Sequence, residues 1–117
     1  MTMMLSSTRT PVLVVDTSEP TRTALRVVGA LDMTTTVEAA TALVRLRANP
    51  PRALHIDATQ ATLIDSTGIS ALTMVALAVR RHGGTVTMTA SAAARDVVRL
   101  CKIGPHLGLV DMQPDLP

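Results

Sequence analysis

Hydrophobic and polar residues change period several times along the chain, and each change predicts an element. Pro11-Val12-Leu13-Val14-Val15-Asp16 is an apolar run opened by proline, and Arg22 to Val28 sets Leu25 and Val27 against Ala24, Arg26 and Val28. Both runs predict strands. The link between them, Thr17-Ser18-Glu19-Pro20-Thr21, is too short for a crossover helix, which takes roughly a dozen residues, so the chain is expected to open with an antiparallel hairpin. That start excludes response-regulator and dinucleotide-binding folds, which begin strand, helix, strand.

From Thr35 the period lengthens towards that of a helix. Thr35-Thr36-Val37-Glu38 has capping-box spacing, in which a hydroxyl and a carboxylate each satisfy an unpaired amide at a helix start. Val37, Ala40 and Val44 then fall on one face with Leu43 beside them, and the helix must end before Asn49-Pro50-Pro51. Ala53 to Asp57 predicts a strand with Leu54 and Ile56 on one face and His55 on the other, followed by a loop through Gln60 that leads to Leu63-Ile64-Asp65-Ser66-Thr67-Gly68. Ile69 to Val79 is apolar nearly all round and predicts a buried helix, stopped by Gly83-Gly84 after Arg80, Arg81 and His82.

Thr85 to Thr89 alternates strictly, as a half-buried strand does. Ser91 is the expected N-cap of a helix through Cys101, with Val97, Val98, Leu100 and Cys101 on its inner face and Gly104-Pro105 closing it. Leu107 to Val110 reads as a last short strand. The order is strand, strand, helix, strand, helix, strand, helix, strand. This predicts an α/β domain over residues 11–111, a mixed sheet opened by an antiparallel hairpin with its helices packed mainly on one face. Residues 1–10 and 112–117 read as flexible tails. There is no internal repeat.

At 117 residues with 47% hydrophobic positions, the chain can build one core unaided, and without Phe, Tyr or Trp that core is aliphatic. The missing aromatics also remove the usual stacking platforms for single-stranded nucleic acid. The net charge is +2, and no basic run exceeds Arg80-Arg81. No nucleic-acid partner is expected. One cysteine, Cys101, cannot close an internal disulfide, the N-terminus lacks a secretory pattern, and Ile69 to Val79 is too short to cross a bilayer. A cytoplasmic protein without direct membrane contact is expected.

The most unusual local feature is Asp65-Ser66-Thr67-Gly68, which precedes the apolar helix. Hydroxyls at a helix start serve as caps, and the same position suits a phosphate, because unpaired amides and the positive end of the dipole meet there. Spacing alone leaves both readings open. A nucleophilic Ser66 lacks the glycine two residues earlier and a neighbouring histidine, and His55, His82 and His106 show no paired-ligand spacing for a metal. Asp57 reads as a loop-capping carboxylate. No catalytic residue, cofactor or metal site is predicted.

The run from His55-Ile56-Asp57-Ala58 through Leu63-Ile64-Asp65-Ser66-Thr67-Gly68-Ile69 resembles the signature of STAS domains, named for sulphate transporters and anti-sigma-factor antagonists. Val27-Val28-Gly29-Ala30-Leu31-Asp32 is similar to that family's turn before its first helix, and Gly83-Gly84 before a strand matches its spacing. The resemblance implies a STAS fold. In the stand-alone members it further implies an anti-sigma-factor antagonist, phosphorylated on the serine after the aspartate by an anti-sigma factor of the serine-kinase type.

That acceptor position is Ser66, with Thr67 as a secondary acceptor, and the implied partner surface takes in Asp32, Asp57, Asp65, Ser66, Thr67 and Gly68. The unphosphorylated form binds the kinase and frees a sigma factor, and the phosphorylated form lets go. The alternative role is a non-enzymatic STAS subunit of a membrane transport assembly. The family's frequent terminal helix has no counterpart in Asp111 to Pro117, which leaves surface for a homodimer. Without Trp or Tyr anchors, contacts around Ser66 are expected to come from aliphatic side chains, Met, Arg and backbone.

Overall fold

The computed structural model describes residues 11–109. The expected tails, Val110 and Asp111 lie outside them. Strands β1 (Leu13–Asp16) and β2 (Thr23–Leu31) form the predicted antiparallel hairpin, with Leu13 opposite Val27 and Asp16 opposite Ala24. Two crossovers then add β3 (Ala53–Ile64) and β4 (Thr85–Ala90), each parallel to its neighbour, giving the order β1-β2-β3-β4. Five helices among the described residues connect or follow these strands: α1 (Met33–Glu38), α2 (Ala40–Ala48), α3 (Ser66–Arg81), α4 (Ala92–Leu100) and α5 (Gly104–Leu107).

The alternation sorts the two sheet faces. Leu25 and Val27 of β2, Leu54 and Ile56 of β3, and Val86 and Met88 of β4 are buried, and they meet Leu72, Val75 and Val79 of α3, Ala94 and Val98 of α4, and Leu107 of α5 in one aliphatic core. The opposite face carries Arg26, His55, Asp57, Thr87 and Thr89, all exposed or half-buried, and no helix of the described residues covers it. The mixed sheet with helices on one side is therefore the predicted architecture, in which burial of aliphatic surface at roughly 25 cal/mol per Å² holds the layers together.

Several local expectations are corrected. The capping box lies three residues earlier than expected: Asp32 is the N-cap of α1, its carboxylate accepts the Thr35 N–H, and Thr35 Oγ1 accepts the Asp32 N–H. A turn residue, Ala39 (φ −93°, ψ 8°), divides the helix, while the backbone bonds from Ala39 to Thr35 and from Leu43 to Ala39 carry the helical path through it. Leu43 and Leu46 point inward, while Val37 and Val44 are 71% and 58% exposed and Ala40 is exposed too. Val37, Ala40 and Val44 do share one face, since seven residues make about 700° of turn, but it is the outer face, and the core takes Ala39, Leu43 and Leu46 instead.

The expected loop through Gln60 is part of β3. Asp57 to Gln60 on β3 spans the same stretch as Arg26 to Val28 on β2, and Ala61 to Leu63 matches Gly29 to Ala30, so β3 carries two extra residues and bulges while staying paired. The exposed Thr59, Gln60 and Thr62 obscured this in the alternation. Helix α3 extends to both sides of Ile69–Val79 and is amphipathic, with Met74 exposed.

In α4, Ala94 and Val98 face inward. Leu100, 82% exposed, stands two residues and about 200° of turn from Val98. Cys101 is the C-cap and is exposed, contrary to the buried position expected for it. Lys102 closes the helix in the left-handed region (φ 59°). The last strand reduces to one parallel bridge between Met88 and Leu109, with Leu107 in α5. Arg80 donates to the carbonyls of Pro105 and His106 and so ties α5 to α3.

Candidate functional site

Parallel pairing sets Leu31 of β2 opposite Ile64 of β3. The strands therefore end together, and the next residues, Asp32 and Asp65, open two helices side by side at the carboxyl edge of the sheet, where ligands of parallel sheets commonly bind. Each aspartate is an N-cap. Asp65 Oδ1 accepts the Gly68 N–H at 2.9 Å, Oδ2 accepts the Met33 N–H at 3.2 Å, and the Asp65 N–H donates to the Leu31 carbonyl at 3.1 Å. One residue thus joins the end of β2, the start of α1 and the start of α3.

Asp32 is held more locally. Its carboxylate accepts the Thr35 N–H at 3.0 Å, and the single Thr35 hydroxyl proton lies between the Ala30 carbonyl at 2.8 Å and Asp32 Oδ1 at 3.1 Å. The Thr35 backbone N–H, above all, holds the Asp32 carboxyl below its ordinary pKa. Gly68 permits close approach of the two segments: a Cβ there would stand 2.5 Å from the Leu31 carbonyl oxygen and 2.9 Å from Leu31 Cγ.

Ser66 is the first residue of α3 and is exposed, Thr67 is half-buried, and Gly68 is buried. No described residue hydrogen-bonds the Ser66 hydroxyl. Asp65 already performs the capping, so Ser66 is left outside that network at the positive end of a helix of 16 residues. The exposed Met33 and Leu63 flank the loop and supply the aliphatic surface expected there.

Asp57 is not part of this constellation. It lies seven residues before Ile64 in β3, about 20 Å away at strand rise, on the open face. Its Oδ1 accepts the Thr59 hydroxyl at 2.6 Å and the Thr59 N–H at 3.0 Å. The Thr59 hydroxyl bond, more than any other interaction, draws its carboxyl below the ordinary range. On the same face His55 bonds the hydroxyls of Thr87 and Thr89 across the strand pair. Partial burial, then the charge of Arg22, lowers the His55 pKa.

The bridge from Asp65 to Met33 and the pairing of Asp32 with Thr35 were not read from the sequence. Asp-x-x-Thr at 32–35 was the available signal for the second. The first depends on strand register and had no local signal. Among the described residues, no three His, Cys, Asp or Glu side chains cluster as a metal site would require, and no helix is long and apolar enough to cross a membrane.

The family described as Mlab, STAS domain, matches residues 14–110, and the chain belongs to this family of STAS domains. No curated protein matches the sequence. Among solved structures, an anti-sigma factor antagonist from Mycobacterium paratuberculosis aligns with a TM-score of 0.73 at 22% identity, covering 88% of this chain and 87% of that one. The anti-sigma factor antagonist SpoIIAA in its unphosphorylated form aligns at 0.64 and 12% identity over 86% and 89% of the two chains. The Bacillus cell fate determinant SpoIIAA in its phosphorylated form aligns at 0.66 and 13% identity over 88% and 93%. At these identities the likeness is one of fold.

Proposed function

We propose that the protein is an anti-sigma-factor antagonist, a non-enzymatic cytoplasmic module that binds an anti-sigma factor of the serine-kinase type and releases a sigma factor. Phosphorylation of Ser66 switches it off. The observation that carries this reading is the exposed Ser66 hydroxyl, free of the capping network and directly after the capping Asp65. A kinase can reach it without opening the fold.

In the transfer, Ser66 Oγ bonds to the γ-phosphorus of ATP, the bond to ADP breaks, and the hydroxyl proton leaves. The phosphate adds about −1.5 to −2 charges at a helix N-terminus, where the dipole tolerates them. The likeness to SpoIIAA in both its unphosphorylated and phosphorylated forms supports a fold that survives the modification. The cost falls on the complex, where the new charge beside Asp65 must be desolvated. Asp32, Asp65, Thr67 and Gly68 belong to this surface by position, whereas Asp57 belongs to the open sheet face.

Incubation with candidate kinase-type anti-sigma factors and ATP is expected to add one phosphate to the wild type and none to Ser66→Ala. Modification only at Thr67 or elsewhere overturns the site. Ser66→Ala is expected to keep partner binding and Ser66→Glu to weaken it, and equal affinities would remove the charge switch. Co-purification with an ATPase and a membrane permease would instead establish the transport-subunit role.

A further inference from the structure

Helix α2 packs on the core through Leu43 and Leu46, which leaves Val37 and Val44 outward beside an apolar groove between α2 and α3. The groove has a volume of about 260 Å³ where Val37, Leu43, Val44, Ala71 and Met74 line it. It continues along α3 past Leu77 and Ala78 into a wider stretch of about 540 Å³. Val44 is 58% and Met74 45% exposed, so among the described residues nothing covers these side chains. Arg47 lines both stretches, and Arg81 and His82 close the far end. Among the described residues no carboxylate lines either stretch, and neither Arg47 nor Arg81 has an ion-pair partner.

The groove is long, open and apolar with a cationic rim. An enclosed pocket would suit a small ligand, but an open trough between two helices suits the apolar stripe of a third. A second copy of this chain would bring the same arginines against each other in a self-complementary contact, which like charges disfavour. We propose that the groove seats an amphipathic helix of a partner protein, with apolar anchors on one face and Asp or Glu beside them for Arg47 and Arg81. The groove begins at Ala71, five residues along α3 from Ser66, about 7.5 Å of helix rise. One partner therefore spans both, and the inference rests on the proposed function for that shared partner. The groove provides the part of the contact that a phosphate on Ser66 does not touch.

The test uses the full chain labelled with ¹⁵N and a synthetic helical peptide carrying Leu on one face and Glu flanking it. Amide shifts are expected to move and saturate at Val44, Ala71, Met74 and Leu77. Arg47→Glu combined with Arg81→Glu is expected to weaken binding about tenfold and to favour the same peptide with Lys in place of Glu. If that double variant does not fold, Val44→Ser, which removes an exposed methyl pair, gives the same loss. Ser66→Ala and Ser66→Glu are expected to bind the peptide alike, so the groove and the switch at Ser66 fail separately. Absence of saturable shifts in the groove overturns the proposal, as does equal binding of the Glu and Lys peptides. Groove shifts produced by raising the protein concentration alone would make the surface a homodimer interface. Shifts produced only by anionic vesicles would make it a membrane contact.

Discussion

The backbone of Gly68 lies so close to Leu31 that a Cβ on Gly68 would stand 2.5 Å from the Leu31 carbonyl oxygen. That oxygen also accepts the Asp65 N–H, so it cannot move without breaking the bond that docks the Ser66 loop. Gly68→Ala is expected to destabilise the protein by about 1–3 kcal/mol despite alanine's better helix propensity. Urea unfolding measures this. Because the obstructing atom is backbone, trimming the Leu31 side chain in the same chain should not restore stability, and a full rescue would contradict the contact.

Asp65 caps α3 and reaches Met33 of α1 with its second oxygen. Loss of an N-cap costs roughly 0.5–2 kcal/mol. Asp65→Ala is expected to fall within or above that range, and Asp65→Asn to recover most of it, since the amide oxygen still accepts the Gly68 N–H. Hydrogen exchange of the Met33 amide separates the two roles: it should accelerate in both variants, because the Asn NH2 that replaces Oδ2 cannot accept the Met33 N–H.

Acid should weaken the fold in two steps. His55 has its pKa lowered by burial and by Arg22, so the unfolded chain takes up this proton first. The contribution is complete above the ordinary histidine value of about 6.5 and is lost as pH falls through the lower folded value. Asp16, Asp32 and Asp57 are lowered as well, mainly by bonds from Ser18, Thr35 and Thr59. Their contribution is present above the ordinary aspartate value of about 3.9 and is lost as pH falls through their lower folded values. Urea midpoints between about pH 8 and pH 5 should decline in the wild type and stay flat in His55→Gln. A midpoint that rises on acidification over that range would contradict this sign.

Helix α2 offers a test of which face is inside. Leu43 is buried and Val44, its neighbour, is exposed. Leu43→Ala is expected to cost about 2–5 kcal/mol, and Val44→Ala to stay within about 0.5 kcal/mol of wild type. The reverse order would make the face of Val37, Ala40 and Val44 the inner one, as the sequence pattern suggests.

Local chemistry decided much of this protein. The short link at Thr17–Thr21 forced the hairpin, the alternation at Thr85–Thr89 gave a strand with one buried face, and Ser91 caps α4 with its hydroxyl on the Ala94 N–H. Each depends on residues within a few positions of one another, so a sequence carries it directly. The Asp-Ser-Thr-Gly run was legible for the same reason, down to the serine at a helix start.

What escaped depends on partners far along the chain. The bulged end of β3 is a strand only because β2 pairs with it, and Asp57 falls away from Ser66 only because that strand continues. Cys101 is exposed because α4 ends before it, and Val37 and Val44 face outward because, of two aliphatic faces on the helix, the core takes the one with Leu43 and Leu46. The sequence by itself determined the class of fold and the loop that bears Ser66. Only tertiary pairing decided that Asp65 binds Met33 across 32 residues and that α2 and α3 leave an open groove. Register and helix phase are set by contacts between segments, which no local pattern encodes.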